Sequence, residues 1–288
     1  MSPKNLDAKY TRLQELVRGY GSLLVAFSGG LDSSLLVKVA HDALGDRALA
    51  VTALSPTYPS KECEAARALA HELGVRLEQI ETGELEIAGF ADNPPERCYF
   101  CKSELFGQLQ EIARREGIAH VADGTNADDT GDYRPGMQAA CELGVVSPLL
   151  EAGLTKDDIR ALSKRLGLPT WDKPAAACLA SRFPYGEQIT SEKLAMVEEA
   201  ENYLKELGFR QVRVRHHGGI ARIEVTPAEI ERLASTAVRD EVVHKLEAIG
   251  YHYVTVDCRG YRTGSMNEVL PGRERAGEAA PTPNNGGK

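Results

Sequence analysis

Residues 22 to 34, Ser-Leu-Leu-Val-Ala-Phe-Ser-Gly-Gly-Leu-Asp-Ser-Ser, constrain the fold more than any other stretch of the chain. Leu23 to Ala26 are apolar without polar alternation, the mark of a short strand buried on both faces. Ser28-Gly29-Gly30-Leu31-Asp32-Ser33 then breaks the pattern, and Leu35, Leu36, Val39 and Ala40 recur at helical spacing. The reading is strand, glycine turn, helix. Glycines allow a tight turn and close approach of the backbone to a ligand. The free amides at the start of the following helix favour an anion. Ser28, Ser33 and Ser34 add hydroxyl donors, and Asp32 adds a carboxylate suited to Mg²⁺.

The rest of the chain supports a sheet around that turn. Arg47 to Leu54 and Val75 to Ile80 read as strands, with a helix from Ser60 to Leu73 between them. Ile118 to Ala122 and Val145 to Leu149 read as fourth and fifth strands. An amphipathic helix is expected over 6–19 and others over 98–115 and 156–166. Strands and helices alternating in this way predict a parallel, doubly wound α/β sheet covered on both faces. Its ligand belongs beyond the carboxyl ends of the strands. That singles out Ser28 to Ser33, Leu54 to Thr57, and Asp123 to Asn126 with Gly124 and Thr125.

From Thr190 the pattern changes. A long helix over 191–207, strands over 211–216 and 220–226, a helical stretch over 227–249 and a strand over 252–257 predict a small α+β domain. We therefore expect a first domain over 1–186, a second over 187–270 and a disordered tail over 271–288. With 34 basic and 42 acidic residues the net charge is −8, which argues against a large nucleic-acid footprint. No window approaches the ~20 apolar residues that span a bilayer. The N-terminus lacks an apolar signal core, so a cytoplasmic location is expected. The six cysteines are then thiols, metal ligands or catalytic groups rather than a disulfide frame.

Cys98-Tyr-Phe-Cys101 is compatible with half a zinc site, a redox pair or part of an iron–sulfur site. No second such pair follows. The best third thiol is Cys178, in the small-residue loop Ala175-Ala-Ala-Cys-Leu-Ala-Ser-Arg182. Three thiolates can hold a [4Fe-4S] cluster with one iron left open. Cys63, Cys141 and Cys258 read as packing thiols. On the small domain, Arg213 and Arg215 share one strand face, with Arg222 and Arg262 on neighbouring elements. Four guanidinium groups would suit a phosphorylated or carboxylated substrate.

The loop Ser-Gly-Gly-x-Asp-Ser resembles the pyrophosphate loop of the PP-loop ATP pyrophosphatases, which adenylate a substrate and release pyrophosphate. No lysine follows the second glycine, unlike the loop of kinase-like NTPases. Asp123-Gly124, Asp132-Tyr-Arg-Pro-Gly136, Ser181-Arg-Phe-Pro-Tyr-Gly186, Val212-Arg-Val-Arg215, Ile220-Ala-Arg-Ile-Glu224 and Tyr261-Arg262 are more specific. Together, over about residues 6 to 270, they resemble the ATP-dependent sulfurtransferases of nickel-pincer nucleotide biosynthesis, which serve lactate racemase.

The resemblance implies ATP and Mg²⁺ at Ser28, Gly29, Gly30, Asp32, Ser33 and Ser34, with Leu54, Gly124 and Thr125 near the nucleotide. It implies adenylation of a carboxylate of pyridinium-3,5-biscarboxylate mononucleotide, then displacement of AMP by sulfur, twice. One branch of that family sacrifices a cysteine. The other carries a [4Fe-4S] cluster on three cysteines, and Cys98, Cys101 and Cys178 resemble it. The resemblance places the substrate phosphate on Arg213, Arg215 and Arg262, with Glu201 nearby, and implies a homo-oligomer, a hexamer. Rival readings are a tRNA thiolase, an amide-forming synthetase and a non-catalytic nucleotide-binding protein.

Overall fold

The computed structural model describes residues 3–131, 135–174, 177–262 and 264–269. The expectations for Asp132, Tyr133 and Arg134, for Ala175 and Ala176, and for the tail over 271–288 fall outside the described residues. The chain divides into two compact units after Glu198.

In the first unit, helix α1 (Pro3–Tyr20) leads into strand β1 (Leu23–Ala26) and helix α2 (Leu31–Leu44). Strand β2 (Ala48–Leu54), helix α3 (Ser60–Glu72) and strand β3 (Arg76–Glu81) follow. Helix α4 (Arg97–Glu116), strand β4 (His120–Ala122), helix α5 (Pro135–Glu142), the short helix α6 (Pro148–Glu151) and helix α7 (Lys156–Arg165) complete it. The four strands are parallel, in the order β3-β2-β1-β4, with Leu23 beside both Ala48 and His120.

Both faces of the sheet are covered, as the unbroken apolar run of β1 demands. Leu23 and Val25 pack with Leu13 and Val17 of α1, Leu35 and Leu36 of α2, and Ile159 and Leu162 of α7. Leu24, Leu49 and Val51 pack the other way, against Leu105, Phe106 and Leu109 of α4. This is the expected doubly wound α/β layer. The strand order reverses between β1 and β4, so the crevice at their carboxyl ends is the switch point where such sheets hold a ligand.

The expected fifth strand over Val145 to Leu149 is reduced to one parallel bridge, Val146 beside Ala122. Val145 N donates back to Ala140 O at the end of α5, and Pro148 has no N–H to give a ladder. Pro148 instead starts α6, the position where a missing N–H costs least. Helix α7 is fixed by a capping box between Thr155 and Asp158, and Lys9 of α1 donates to Asp158 Oδ2 at 2.6 Å.

Helix α8 (Ser191–Glu206) carries the division between the units. Its first half belongs with the first unit because Leu194 and Val197, with Ile189 before them, pack against Phe90, Leu179 and Phe183. The second unit pairs β5 (Val212–His217) antiparallel with β6 (Ile220–Val225). Helices α9 (Ile230–Ala234) and α10 (Thr236–Ile249) then lead to β7 (Tyr253–Val256), which lies parallel to β6. Among the described residues no helix is long and apolar enough to cross a membrane.

Candidate active site

The turn after β1 is held open by its own side chains. Thr52 Oγ1 donates to Phe27 O at 2.8 Å and anchors the strand end. Ser28 Oγ and Ser33 Oγ lie 3.2 Å apart, bridging the two sides of the turn. Gly29 has φ +66° and faces α3, where an added Cβ would sit 2.7 Å from Ala66 Cβ. Only glycine satisfies both the left-handed backbone and that approach. Gly30 caps α2 without a side-chain hydrogen bond, so no side chain fills the anion-binding end of the helix. Ser34 is buried, and its Oγ has no hydrogen-bond partner among the described residues.

The loop after β4 closes against this turn. A Cβ on Gly124 would lie 3.1 Å from Ser33 N, so the two loops pack backbone to backbone. Asp123 is occupied in shaping its own loop: it accepts from Thr125 N at 3.1 Å, Thr125 Oγ1 at 2.6 Å and Ser147 Oγ at 2.7 Å. Asp128 accepts from Lys156 N at 2.8 Å, at the start of α7. Asp129 is buried and takes Asn126 Nδ2 at 2.7 Å, while the same amide reaches toward Asp32 Oδ1 at 3.4 Å. Asn126 therefore links the carboxylates of Asp32 and Asp129. Burial raises the Asp32 pKa, Lys156 opposes the rise and Asp129 adds to it. Two neighbouring acids of this kind create a demand for positive charge.

Lys156 meets part of that demand, and a second lysine lies beside the turn. Lys156 Nζ donates to Asp32 Oδ2 in a short ion pair. Lys173 Nζ donates to Gly29 O at 2.9 Å and pairs with Glu62 Oε2 at 2.6 Å. Neither lysine is among the residues expected at the site from the sequence. The signal available is their position: Lys156 opens α7, and Lys173 sits in the Trp171-Asp-Lys-Pro174 turn ahead of the Cys178 loop. Leu54 ends β2, where its carbonyl accepts from Thr82 N at 3.0 Å.

The thiols occupy the same rim. Cys98 and Cys101 lie on the first turn of α4, and Cys178 immediately precedes a 3₁₀ turn over Leu179–Arg182. Leu179 N donates to Thr57 O at 2.7 Å, tying the Cys178 loop to the end of β2. Cys101 and Cys178 both pack on the cluster of Phe90, Leu179 and Phe183. Cys98 is solvent-accessible yet recessed: burial raises its thiol, Cys178 adds to the rise, and Arg97 opposes it. Burial pushes the Cys101 thiol up to about 12, with Lys102 opposing and Cys178 adding. The thiols are thus near enough to act on one another. Among the described residues no three His, Cys, Asp or Glu side chains form a site for a single metal ion. Cys63 is half-buried, and Cys141 and Cys258 are exposed.

In the second unit the arginines form one network, and it includes acids. Arg215 Nη2 donates to Glu224 Oε2 at 2.7 Å and to Ser265 Oγ at 3.0 Å. Arg222 Nη2 donates to the other oxygen of Glu224 at 3.1 Å. Arg262 pairs with Asp257 at 3.3 Å and Glu268 at 3.1 Å. Arg213 lies over the Tyr261 ring, 5.2 Å from its centroid. Glu201 is buried and accepts from Val214 N at 3.0 Å. The guanidinium groups are expected from the sequence, whereas their counter-charges Asp257, Glu268 and the fully buried Glu224 are not.

A family model described as NAD synthase matches residues 8–98, the stretch from α1 to the start of α4. An uncharacterized protein of Synechocystis sp. is 47% identical over 92% of this chain and 99% of its own length. Pyridinium-3,5-bisthiocarboxylic acid mononucleotide synthase of Lactiplantibacillus plantarum is 41% identical over 92% of this chain and 96% of its own length. The chain belongs to that synthase's family. A subunit of the glutamine-hydrolyzing GMP synthase of Thermococcus kodakarensis is more distant, 29% identical over 70% of this chain and 69% of its own length.

Membership in the bisthiocarboxylate synthase family covers both units, since the match extends over 266 residues. The turn at Ser28 to Ser33, the thiol rim and the arginine network all lie within the chain that the family shares in length.

Proposed function

We propose that the protein is an ATP-dependent sulfurtransferase that converts the carboxylates of pyridinium-3,5-biscarboxylate mononucleotide to thiocarboxylates. In the first half-reaction a carboxylate oxygen attacks the α-phosphorus of ATP. The bond to the β-phosphate bridging oxygen breaks, and pyrophosphate leaves. Ser28, Ser33 and the amides after Gly30 hold the departing pyrophosphate. Asp32 is the residue that would hold Mg²⁺, whose charge stabilises that leaving group. Lys156 then exchanges its carboxylate partner for phosphate oxygen, and Lys173 supplies a second cation beside Gly29. In the second half-reaction a sulfur nucleophile adds to the acyl carbon and AMP leaves with the former carboxylate oxygen. Repetition on the second carboxylate gives the bisthiocarboxylate.

Cys98, Cys101 and Cys178 fit a [4Fe-4S] cluster. The donor set is three thiols, two packed on one apolar cluster and one accessible. Cubane ligands bind different iron atoms, so they need not converge on one point. When bound, the cluster would supply an open iron that can carry an extra sulfide. Arg213, Arg215 and Arg262, with Glu201, are the proposed hold on the substrate phosphate. An amide-forming reading leaves the three thiols without a role.

The observation that carries the reading is the tethering of the thiol rim to the phosphate loop. Lys173 donates to Gly29 O and Leu179 N to Thr57 O, on either side of Cys178. The test is anaerobically prepared protein given ATP, Mg²⁺, a sulfide source and the biscarboxylate mononucleotide. Mass spectrometry should find thiocarboxylate product. Cys178→Ser should still release pyrophosphate and form the acyl adenylate while losing sulfur transfer. Thiocarboxylate formation by a variant with all three cysteines changed to serine would remove the thiol rim from the mechanism.

A further inference from the structure

Arg97 opens α4 one residue before Cys98, and it is only 5% exposed. Its Nη1 donates to Ala180 O at 2.9 Å, two residues beyond Cys178, and to Asn93 Oδ1. Its charge also opposes the upward shift of the Cys98 thiol. Asn93 is fully buried, and its Nδ2 donates to Pro184 O at 2.6 Å. Arg97 and Asn93 together therefore clip the Cys98 turn to the loop that carries Cys178. Arg182 secures the far side of that loop, donating to Ala177 O at 3.0 Å and Cys178 O at 3.1 Å.

The charge on Arg97 has no matching carboxylate. Among the described residues neither Asp nor Glu pairs with it. Arginine does not lose its proton in proteins, and charged side chains are almost never fully buried unless paired. Cys98 follows it directly in the chain, and its fork holds the loop that carries Cys178.

We propose that Arg97 is a positioning residue for the three-thiol site: its charge offsets that of the thiolates when they ligate a cluster, and its fork fixes the spacing of Cys98 and Cys178. This rests on the cluster reading above. A fixed positive charge beside a cluster favours its reduced, more negative state, because net charge and hydrogen bonds to sulfur set the potential.

The full-length chain and its Arg97→Gln and Arg97→Lys variants are reconstituted anaerobically with ferrous iron and sulfide. Iron per chain, the visible spectrum and the midpoint potential are then measured. Arg97→Gln should take up less iron, and the cluster it does form should have a lower potential than wild type. Arg97→Lys, which keeps the charge, should hold a cluster near the wild-type potential. Equal loading and equal potential in wild type and Arg97→Gln would overturn the role of Arg97 and leave the cluster standing. Loss of the cluster from both variants with the fold intact would overturn the charge argument. A wild-type chain that binds no cluster would overturn the reading on which the proposal rests, and the proposal with it.

Discussion

Gly29→Ala tests whether the phosphate turn is built as described. The new methyl meets two separate penalties. At φ +66° an L-residue is in the left-handed region, which costs roughly 1–2 kcal/mol. Its Cβ would also lie 2.7 Å from Ala66 Cβ and 2.9 Å from Ala66 Cα, and a helix backbone cannot swing aside as a long side chain can. Forcing that contact adds about 1–3 kcal/mol. The sum is about 2–5 kcal/mol. Urea denaturation followed by Trp171, the single tryptophan and a residue of the first unit, reads it directly. In a unit of this size about 2–4 °C of melting temperature accompany each kcal/mol, so the shift should be about 4–20 °C. Gly30→Ala is the internal control. Gly30 has φ −79° and ψ 172°, which any residue adopts, and its nearest neighbour is the rotatable Ser28 Oγ at 3.3 Å. Its change should stay within about 1 kcal/mol. Gly29→Ala within about 0.5 kcal/mol of wild type, or both variants equally destabilised, would refute the reasoning.

Asp32→Asn should lower substrate-dependent pyrophosphate release by about two orders of magnitude. It should cost no more than about 1 kcal/mol of stability, because its Lys156 partner is 39% exposed; near-normal release would sink its assignment. Asp158 is buried, which alone would raise its pKa, but Lys9 and the Thr155 hydrogen bonds win and hold it below the usual carboxylate value. A depressed folded pKa gives stability that is complete above the unfolded value of about 3.9 and is lost as pH falls through the folded value. Asp158→Asn should therefore cost about 1.5–3 kcal/mol at pH 7, and the gap should narrow as pH falls below the unfolded value of about 3.9; a gap independent of pH would contradict this. Glu224→Ala takes the shared carboxylate from Arg215 and Arg222 and should destabilise the second unit by about 3–5 kcal/mol in thermal circular dichroism, and a loss under about 1 kcal/mol would show the network to be dispensable.

Local pattern made the phosphate site legible. A four-residue apolar run ending in two glycines ahead of a helical pattern reads as a buried strand followed by a turn, and the structure has both. The first-turn position of Cys98 and Cys101 on α4 was legible for the same reason. What escaped the sequence was set by contacts over long separations. Val145 to Leu149 has strand-like composition, yet Val145 is taken up by the end of α5 and Pro148 cannot donate, so one bridge remains. Lys156 reaches Asp32 from 124 residues away and Lys173 reaches Gly29 from 144, and no local periodicity encodes such meetings. The arginine face of β5 looked like free positive charge because Glu224 pairs with it across the ladder rather than along the chain. Arg97 was hidden in plain view, since burial rather than spacing makes it unusual.

The most direct test of the central claim is which phosphate product appears, and with which substrate. Purified protein is incubated anaerobically with ATP, Mg²⁺ and a sulfide source, with and without pyridinium-3,5-biscarboxylate mononucleotide, and nucleotide and phosphate products are separated. AMP and pyrophosphate in equal amounts, formed only when the biscarboxylate is present, are the predicted result. ADP and orthophosphate, or AMP formed equally without the biscarboxylate, would contradict it.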